Sequence, residues 1–335
     1  MERKLKQDGY TLINKRINGL LNMNKILILK VLLFNVLLLF SKTSFSQQDP
    51  QYTQYMYNTM SVNPAYAGSN NHTVISALGR TQWIGLDGAP DSQTFSYDTA
   101  IGYSGVGLGI SITNDRIGPS SEIYLDANVS YTIRTSNDGN LAFGLKLGGR
   151  HLGIDWSKGT ALQQERIFEG NISKFLPTIG AGIYFYKSNW YLGAAIPNFL
   201  RTDHYDDTVG TTSFGSGDLA EERLHFFGIA GYVFDLSETL KFKPATLVKV
   251  VNGAPLSLDV SANFLFNEKF AAGLAWRWDD SISVLLGLQA TNNLNIGFAY
   301  DLTTSNYSNY NSGTYELMLR WDIFRERVFK SPRFF

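Results

Sequence analysis

The chain has 335 residues, 29 basic and 29 acidic side chains and hence zero formal net charge, and no cysteine. That balance removes the electrostatic footprint of nucleic acid binding, and the missing Cys removes a disulfide framework, a thiolate metal site, a cysteine nucleophile and an N-terminal lipid-modified Cys. An aromatic content of 14% against 17% charged suits a sheet that faces lipid.

Near the start, Lys25 and Lys30 precede an apolar run from Val31 to Phe40 that only Asn35 interrupts, and Ser44 and Ser46 follow at small-x-small spacing. This predicts a secretory signal peptide over residues 1–46, cleaved before Gln47, with Met23 as an alternative start. The run is shorter than the ~20 residues of a spanning helix, and no later segment offers ~18 uninterrupted apolar residues, so helical spans are excluded.

Residues 47–71 are rich in Tyr, Gln and Asn and follow neither the helical nor the strand period. Asn63-Pro64 favours a turn. Tyr52, Tyr55, Tyr57 and Tyr66 are too many aromatic rings for a disordered linker. The segment is expected at the periplasmic mouth, either plugging a barrel or docking partners, with a flexible leader as the bland alternative.

From residue 72 to 324 the period is two. Leu141, Phe143, Leu145 and Leu147 alternate with small or polar residues, and so do Tyr315, Leu317, Leu319, Trp321 and Ile323. Such alternation over about ten residues predicts strands with one apolar face, at the length of a tilted membrane span. The segments 72–83, 91–101, 106–115, 121–135, 140–153, 175–187, 190–200, 222–236, 239–251, 256–267, 269–279, 282–291, 294–304 and 314–324 give an all-β, antiparallel transmembrane barrel of about fourteen strands. The even-numbered connections are short, and the long ones (154–174, 201–221, 305–313) are all odd-numbered. With a periplasmic N-terminus this parity puts the long loops outside. Trp83, Trp156, Trp276 and Trp278 then fall near the outer ends of strands, with Trp190 and Trp321 near the periplasmic ends, as a girdle requires. A cation at the bilayer midplane on the lipid face costs about 2–4 kcal/mol. Lys146, Arg150, Lys249, Arg277 and Arg320 are therefore expected in the lumen, with Asp126, Asp259, Asp301 and Glu316. A soluble sandwich explains the alternation but not the strand length, the girdle or the loop parity.

The end of the chain, residues 325–335, is locally basic: Arg325, Arg327, Lys330 and Arg333 stand against Glu326. Parity places this tail in the periplasm. It is expected to form, with Tyr52, Tyr55, Tyr57, Asn63, Pro64 and Tyr66, one surface for acidic partners, although the terminal Phe335 also suits an assembly signal.

No catalytic, cofactor or metal residues are expected. His72, His151, His204 and His225 lie at unrelated spacings, not in a metal-binding pair. Asp203–Asp207 lacks calcium-loop spacing. Gly105, Gly107 and Gly109 alternate within a strand, as small lumen-facing residues rather than a phosphate loop. No motif supports a Ser–His hydrolase.

The stretch Asp49-Pro50-Gln51-Tyr52-Thr53-Gln54-Tyr55-Met56-Tyr57-Asn58 continues to Ser61-Val62-Asn63-Pro64-Ala65-Tyr66-Ala67-Gly68-Ser69. It resembles the start of the PorP/SprF family of Bacteroidetes, membrane proteins of type IX secretion and gliding motility. The terminal Lys330-Ser331-Pro332-Arg333-Phe334-Phe335 resembles that family's tail. The resemblance implies an outer-membrane barrel in contact with lipid, working with periplasmic motor or ring components or peptidoglycan-binding proteins and helping to secrete or anchor a large surface adhesin. A core machinery component and an adhesin-specific helper both fit these residues. The alternative is a plugged diffusion channel or hydrophobic-ligand transporter, for which a more apolar hatch is expected than this Tyr/Gln/Asn strip.

Overall fold

The computed structural model describes residues 50–102, 104–158, 171–200, 224–251 and 254–323. The signal peptide with its cleavage before Gln47, His204, the acidic stretch 203–207 and the tail with Arg325, Arg327, Lys330 and Arg333 lie outside the described residues.

The strands are β1 (Thr73–Thr81), β2 (Asp91–Ile101), β3 (Val106–Ile117), β4 (Ser120–Arg134), β5 (Asn140–Ile154), β6 (Ile172–Tyr186), β7 (Trp190–Ile196), β8 (His225–Tyr232), β9 (Phe234–Asp235), β10 (Leu240–Val251), β11 (Ser257–Phe266), β12 (Phe270–Arg277), β13 (Ser281–Gln289), β14 (Leu294–Thr303) and β15 (Thr314–Ile323). Apart from β8 and β9, which do not pair with each other, each strand pairs antiparallel with its sequence neighbours, and β1 pairs with β15, so the sheet closes. β8 and β9 both pair with β10 in one register, Gly231 opposite Ala245 and Phe234 opposite Phe242, and form a single wall strand. The interruption falls where Pro244 of β10 has no N–H to offer the ladder. The barrel therefore has fourteen walls. Closure leaves no sheet edge around the ring, which a bilayer demands because it cannot hydrogen-bond stray backbone groups.

Several strand boundaries shift by a few residues from the expected spans, and two of the shifts are informative. β7 stops at Ile196 rather than running to 200, because Pro197 cannot continue the pairing. β6 starts earlier than expected, at Ile172, opposite Ile154 of β5. Gly105 is not a strand residue: it sits in the β2–β3 turn at φ 78°, a left-handed conformation suited to glycine.

The barrel is inside out relative to a water-soluble domain. Leu145 and Leu147 are 61% and 59% exposed on the outer face, whereas Glu316 and Arg320 are 1% exposed in the interior. Large apolar side chains cover the outside of nearly every wall, as a lipid-facing shell requires. Trp276 and Trp278 stack on that surface at one end, and Trp321 is exposed at the other. Trp156 departs from the expected girdle. It packs inward against buried Leu152, Ile154 and Leu176, an apolar cluster at the end carrying the long connections.

Candidate functional site: a polypeptide in the lumen

Residues 51–70 run through the barrel. Near the end of the long connections, Gln51 Nε2 donates to Asp259 Oδ2 at 2.5 Å and to Ser257 Oγ at 3.4 Å, Ser257 being the first residue of β11. Thr53 and Gln54 then meet Glu316 and Asp301. Asn63 reaches β6, and Gly68 and Asn70 reach Asp98, close to the short turn that follows β2. The strip thus passes from the long-connection end toward the short-turn end, where it joins β1. The strip expected at the mouth, as a plug or a docking segment, lies within the lumen, where a peptide this rich in amide and phenol groups finds polar partners on the walls.

Local chemistry shapes the path. Residues Thr59–Ser61 and Pro64–Tyr66 form single 3-10 turns. Asn63, extended as residues before proline are, caps the second turn by accepting the Ala65 N–H at 3.0 Å. Its amide donates to the Ile183 carbonyl at 3.0 Å.

The wall gives way with glycine where the strip touches it. A Cβ on Gly107 would stand 2.1 Å from the Ala67 carbonyl oxygen, and one on Gly144 would stand 2.1 Å from the Ala65 nitrogen. Gly109, Gly182 and Gly297 make the same room for Met60, Asn63 and Gln54. Glycine inside a strand weakens it and marks close approach of another backbone.

The lumen is lined by paired charges. Arg80 bridges Asp301 at 2.8 Å and Glu316 at 2.5 Å, while Glu316 also accepts the main-chain N–H groups of Thr53 at 2.6 Å and Gln54 at 3.0 Å. Arg277 pairs with Asp259 at 2.6 Å, Lys146 with Asp126 at 3.1 Å, Arg150 with Glu122 at 3.3 Å, and Arg320 with Asp322 at 2.9 Å. Lys249 is buried in the same interior. Charges held this deep are tolerable only when paired and hydrogen-bonded. Sequence reading missed Arg80, Asp98, Glu122, Lys243 and Asp322. Lys243 shares the inward phase of Lys249 on β10 and was recoverable from it; Lys243 Nζ lies 5.5 Å from the Tyr57 ring centroid and 5.8 Å from that of Tyr191.

The tyrosines expected to form an exposed docking strip are buried. Tyr55 is 2% exposed; Tyr52 shares a hydrogen bond with Thr94 at 2.6 Å; Tyr66 packs on Tyr184 with centroids 5.7 Å apart. Pro64 is buried between Gly144 and Gly182. These rings lie against the lumen walls. His72 bonds Asp322 at 2.9 Å, His225 is buried and His151 points outward. Among the described residues no three His, Cys, Asp or Glu side chains gather as a metal site.

An apolar outer shell and a charged lumen threaded by the chain's own N-terminal strip define a membrane β-barrel of the outer-membrane kind. The model of the type IX secretion system membrane protein family PorP/SprF matches residues 44–321, and the chain belongs to that family. No curated protein matches it. Among solved structures, it is similar to the CymD monoaromatic hydrocarbon channel, with 10% identity, a TM-score of 0.44 and coverage of 81% of this chain and 92% of that one. It is also similar to Omp33 of Acinetobacter baumannii, with 7% identity, a TM-score of 0.45 and coverage of 76% and 98%. A FadL homologue of Pseudomonas aeruginosa gives 11% identity, a TM-score of 0.42 and coverage of 82% and 95%.

Proposed function

We propose that the protein is an outer-membrane component of type IX secretion and gliding that helps to export or anchor a large surface adhesin by holding protein partners, not by catalysis. Family membership over residues 44–321 is the observation that supports this reading. The signal peptide is removed before Gln47, the long connections face outside, and the basic tail, with Arg325, Arg327, Lys330 and Arg333, lies in the periplasm. There it meets motor, ring or peptidoglycan-binding proteins through acidic surfaces. The filled lumen favours this over a diffusion channel, since buried ion pairs and backbone occupy the path a solute would take.

Deleting the gene is expected to remove the adhesin from the cell surface while uptake of small solutes stays unchanged. Normal surface adhesin in the deletion strain rejects the proposal; a selective loss of solute uptake supports the channel reading instead.

A further inference from the structure

The two ends of the strip stand at opposite mouths of the barrel. Its first described residues, Pro50 and Gln51, stand at the mouth of the long connections, where Gln51 bonds Ser257 and Asp259, the first and third residues of β11. Its last residues stand at the mouth of the short turns. There Asn70 donates to Asp98 at 3.1 Å and accepts from Arg320 at 3.3 Å. Asn71, exposed at φ 57°, and His72, bonded to Asp322 at 2.9 Å, lead from that mouth into β1. Between the two ends the strip folds on itself: the main-chain N–H groups of Tyr57, Asn58, Ser61, Val62 and Asn63 all bond to carbonyls within it. It is a compact plug with one tethered end and one leading end.

Where the leading end finishes follows from chain length. Cleavage before Gln47 leaves three residues, 47–49, ahead of Pro50. Three residues reach at most about 10 Å when fully extended. The apolar band of an outer-membrane barrel is about 25 Å tall. Whatever path those residues take, the new chain end stays at the mouth of the long connections.

We infer that the plug displays its free end at the long-connection mouth and is hinged at Asn71–His72 at the short-turn mouth. The β1–β15 ladder closes the ring around it, so the plug clears the lumen only by drawing its free end back through the barrel toward the hinge. Control of the lumen therefore sits on the short-turn side: a pull on the strip there opens it, and a bulky group fixed to the free end holds it shut. The inference rests on residues 1–46 being a removed leader and on the long connections facing outside, and it adds the chain end itself as a group on the cell surface.

The parent has no cysteine, so the Asp49→Cys, Thr160→Cys and Asn292→Cys chains each carry a single thiol, at the free end, in a long connection and in a short turn. A membrane-impermeant biotin maleimide applied to intact cells is expected to label Asp49→Cys as fully as Thr160→Cys and to leave Asn292→Cys unlabelled. A short epitope inserted between Gln48 and Asp49, read with antibody, repeats the comparison without a thiol. Labelling of Asp49→Cys together with Asn292→Cys, and not with Thr160→Cys, overturns the inference, and so does an intact mass that retains the leader. If Asp49→Cys and Thr160→Cys both label only after permeabilisation, while Asn292→Cys labels in intact cells, the inference stands and the outside assignment of the long connections falls. In the purified, biotinylated Asp49→Cys chain under mild urea, streptavidin on the free end is expected to slow cleavage of residues 50–70 by added protease. Equal cleavage rates with and without streptavidin overturn the one-sided exit.

Discussion

Gly107 lies so close to Ala67 that a Cβ on the glycine would stand 2.1 Å from the alanine carbonyl oxygen. The contact joins a wall strand to the strip inside it, and Ser130 fixes the same carbonyl from β4 at 2.6 Å. Position and hydrogen bonding therefore define one seat for the strip at this level of the lumen. Packed interiors take up added volume poorly, so the seat reports sensitively on whether the strip is in place.

A Gly107→Val substitution is expected to dislodge the strip and leave the barrel closed. Overpacking of this kind costs about 1–3 kcal/mol, and the ladder from β1 to β15 does not depend on the seat. Residues 50–70 should become cleavable by added protease, and the purified protein should conduct ions in planar bilayers. Gly79→Ala is the control: nothing lies within 4 Å of a Cβ there. A variant that keeps its strip protected, with no rise in conductance, refutes the seat.

Leu145→Lys tests the lipid face. Leu145 is 61% exposed on β5, opposite Val129 and Ala181 on the flanking strands. On a water-facing surface this change is nearly neutral. On the hydrocarbon face near midplane it costs about 2–4 kcal/mol. Refolding into lipid vesicles, followed by urea titration, is expected to show that loss, whereas Leu145→Ala shows much less. Equal stability of the Lys variant and the parent contradicts a lipid-facing wall.

Period-two alternation marked the walls well because each apolar face is continuous and each short turn is polar; β2 matches its expected span of 91–101 at both ends. β7 stopped short of its expected end at a proline, where the ladder lacks a donor, after Ile196. The lumen was less legible. Inward charge followed from phase, but the pairing of Arg80 with Asp301 and Glu316 depends on ring closure between β1 and β15, which joins residues at opposite ends of the chain. Local pattern carries no such information. Plug and docking strip were not separable from sequence for a related reason: tyrosines suit any interface, and the surface these meet is the inside of the same barrel.

The basic tail makes a salt-dependent prediction. Replacing Arg325, Arg327, Lys330 and Arg333 with glutamine is expected to keep barrel abundance while weakening co-purification of periplasmic partners. The parent's own co-purification should fall as ionic strength rises, since exposed charges are screened within about 10 Å at 0.1 M salt. Deleting 330–335 tests the competing assembly role, which predicts lower abundance in the outer-membrane fraction. Partner recovery that ignores both salt and the four substitutions removes the tail from the docking proposal.

Arg80 offers the sharpest test of the lumen's electrostatics. Its guanidinium neutralises Asp301 and Glu316, and Arg80 and Asp301 are 2% and 3% exposed as side chains. Arg80→Met leaves two carboxylates facing each other without a cation, and breaking a buried pair this way costs about 3–5 kcal/mol. The thermal midpoint of the compact gel form should drop clearly. Thr53 and Gln54 hold to the same two carboxylates, so the strip should loosen together with the wall. Combining Arg80→Met with Asp301→Asn and Glu316→Gln is expected to recover part of the loss, because neutral amides demand no counter-charge, although a glutamine's single oxygen can accept only one of the two main-chain N–H groups that Glu316 holds. Single Asp301→Asn or Glu316→Gln variants should fall between, each leaving Arg80 one carboxylate. If the triple variant is as unstable as Arg80→Met alone, the guanidinium acts through packing and not through charge, and the ion-pair account of the lumen fails.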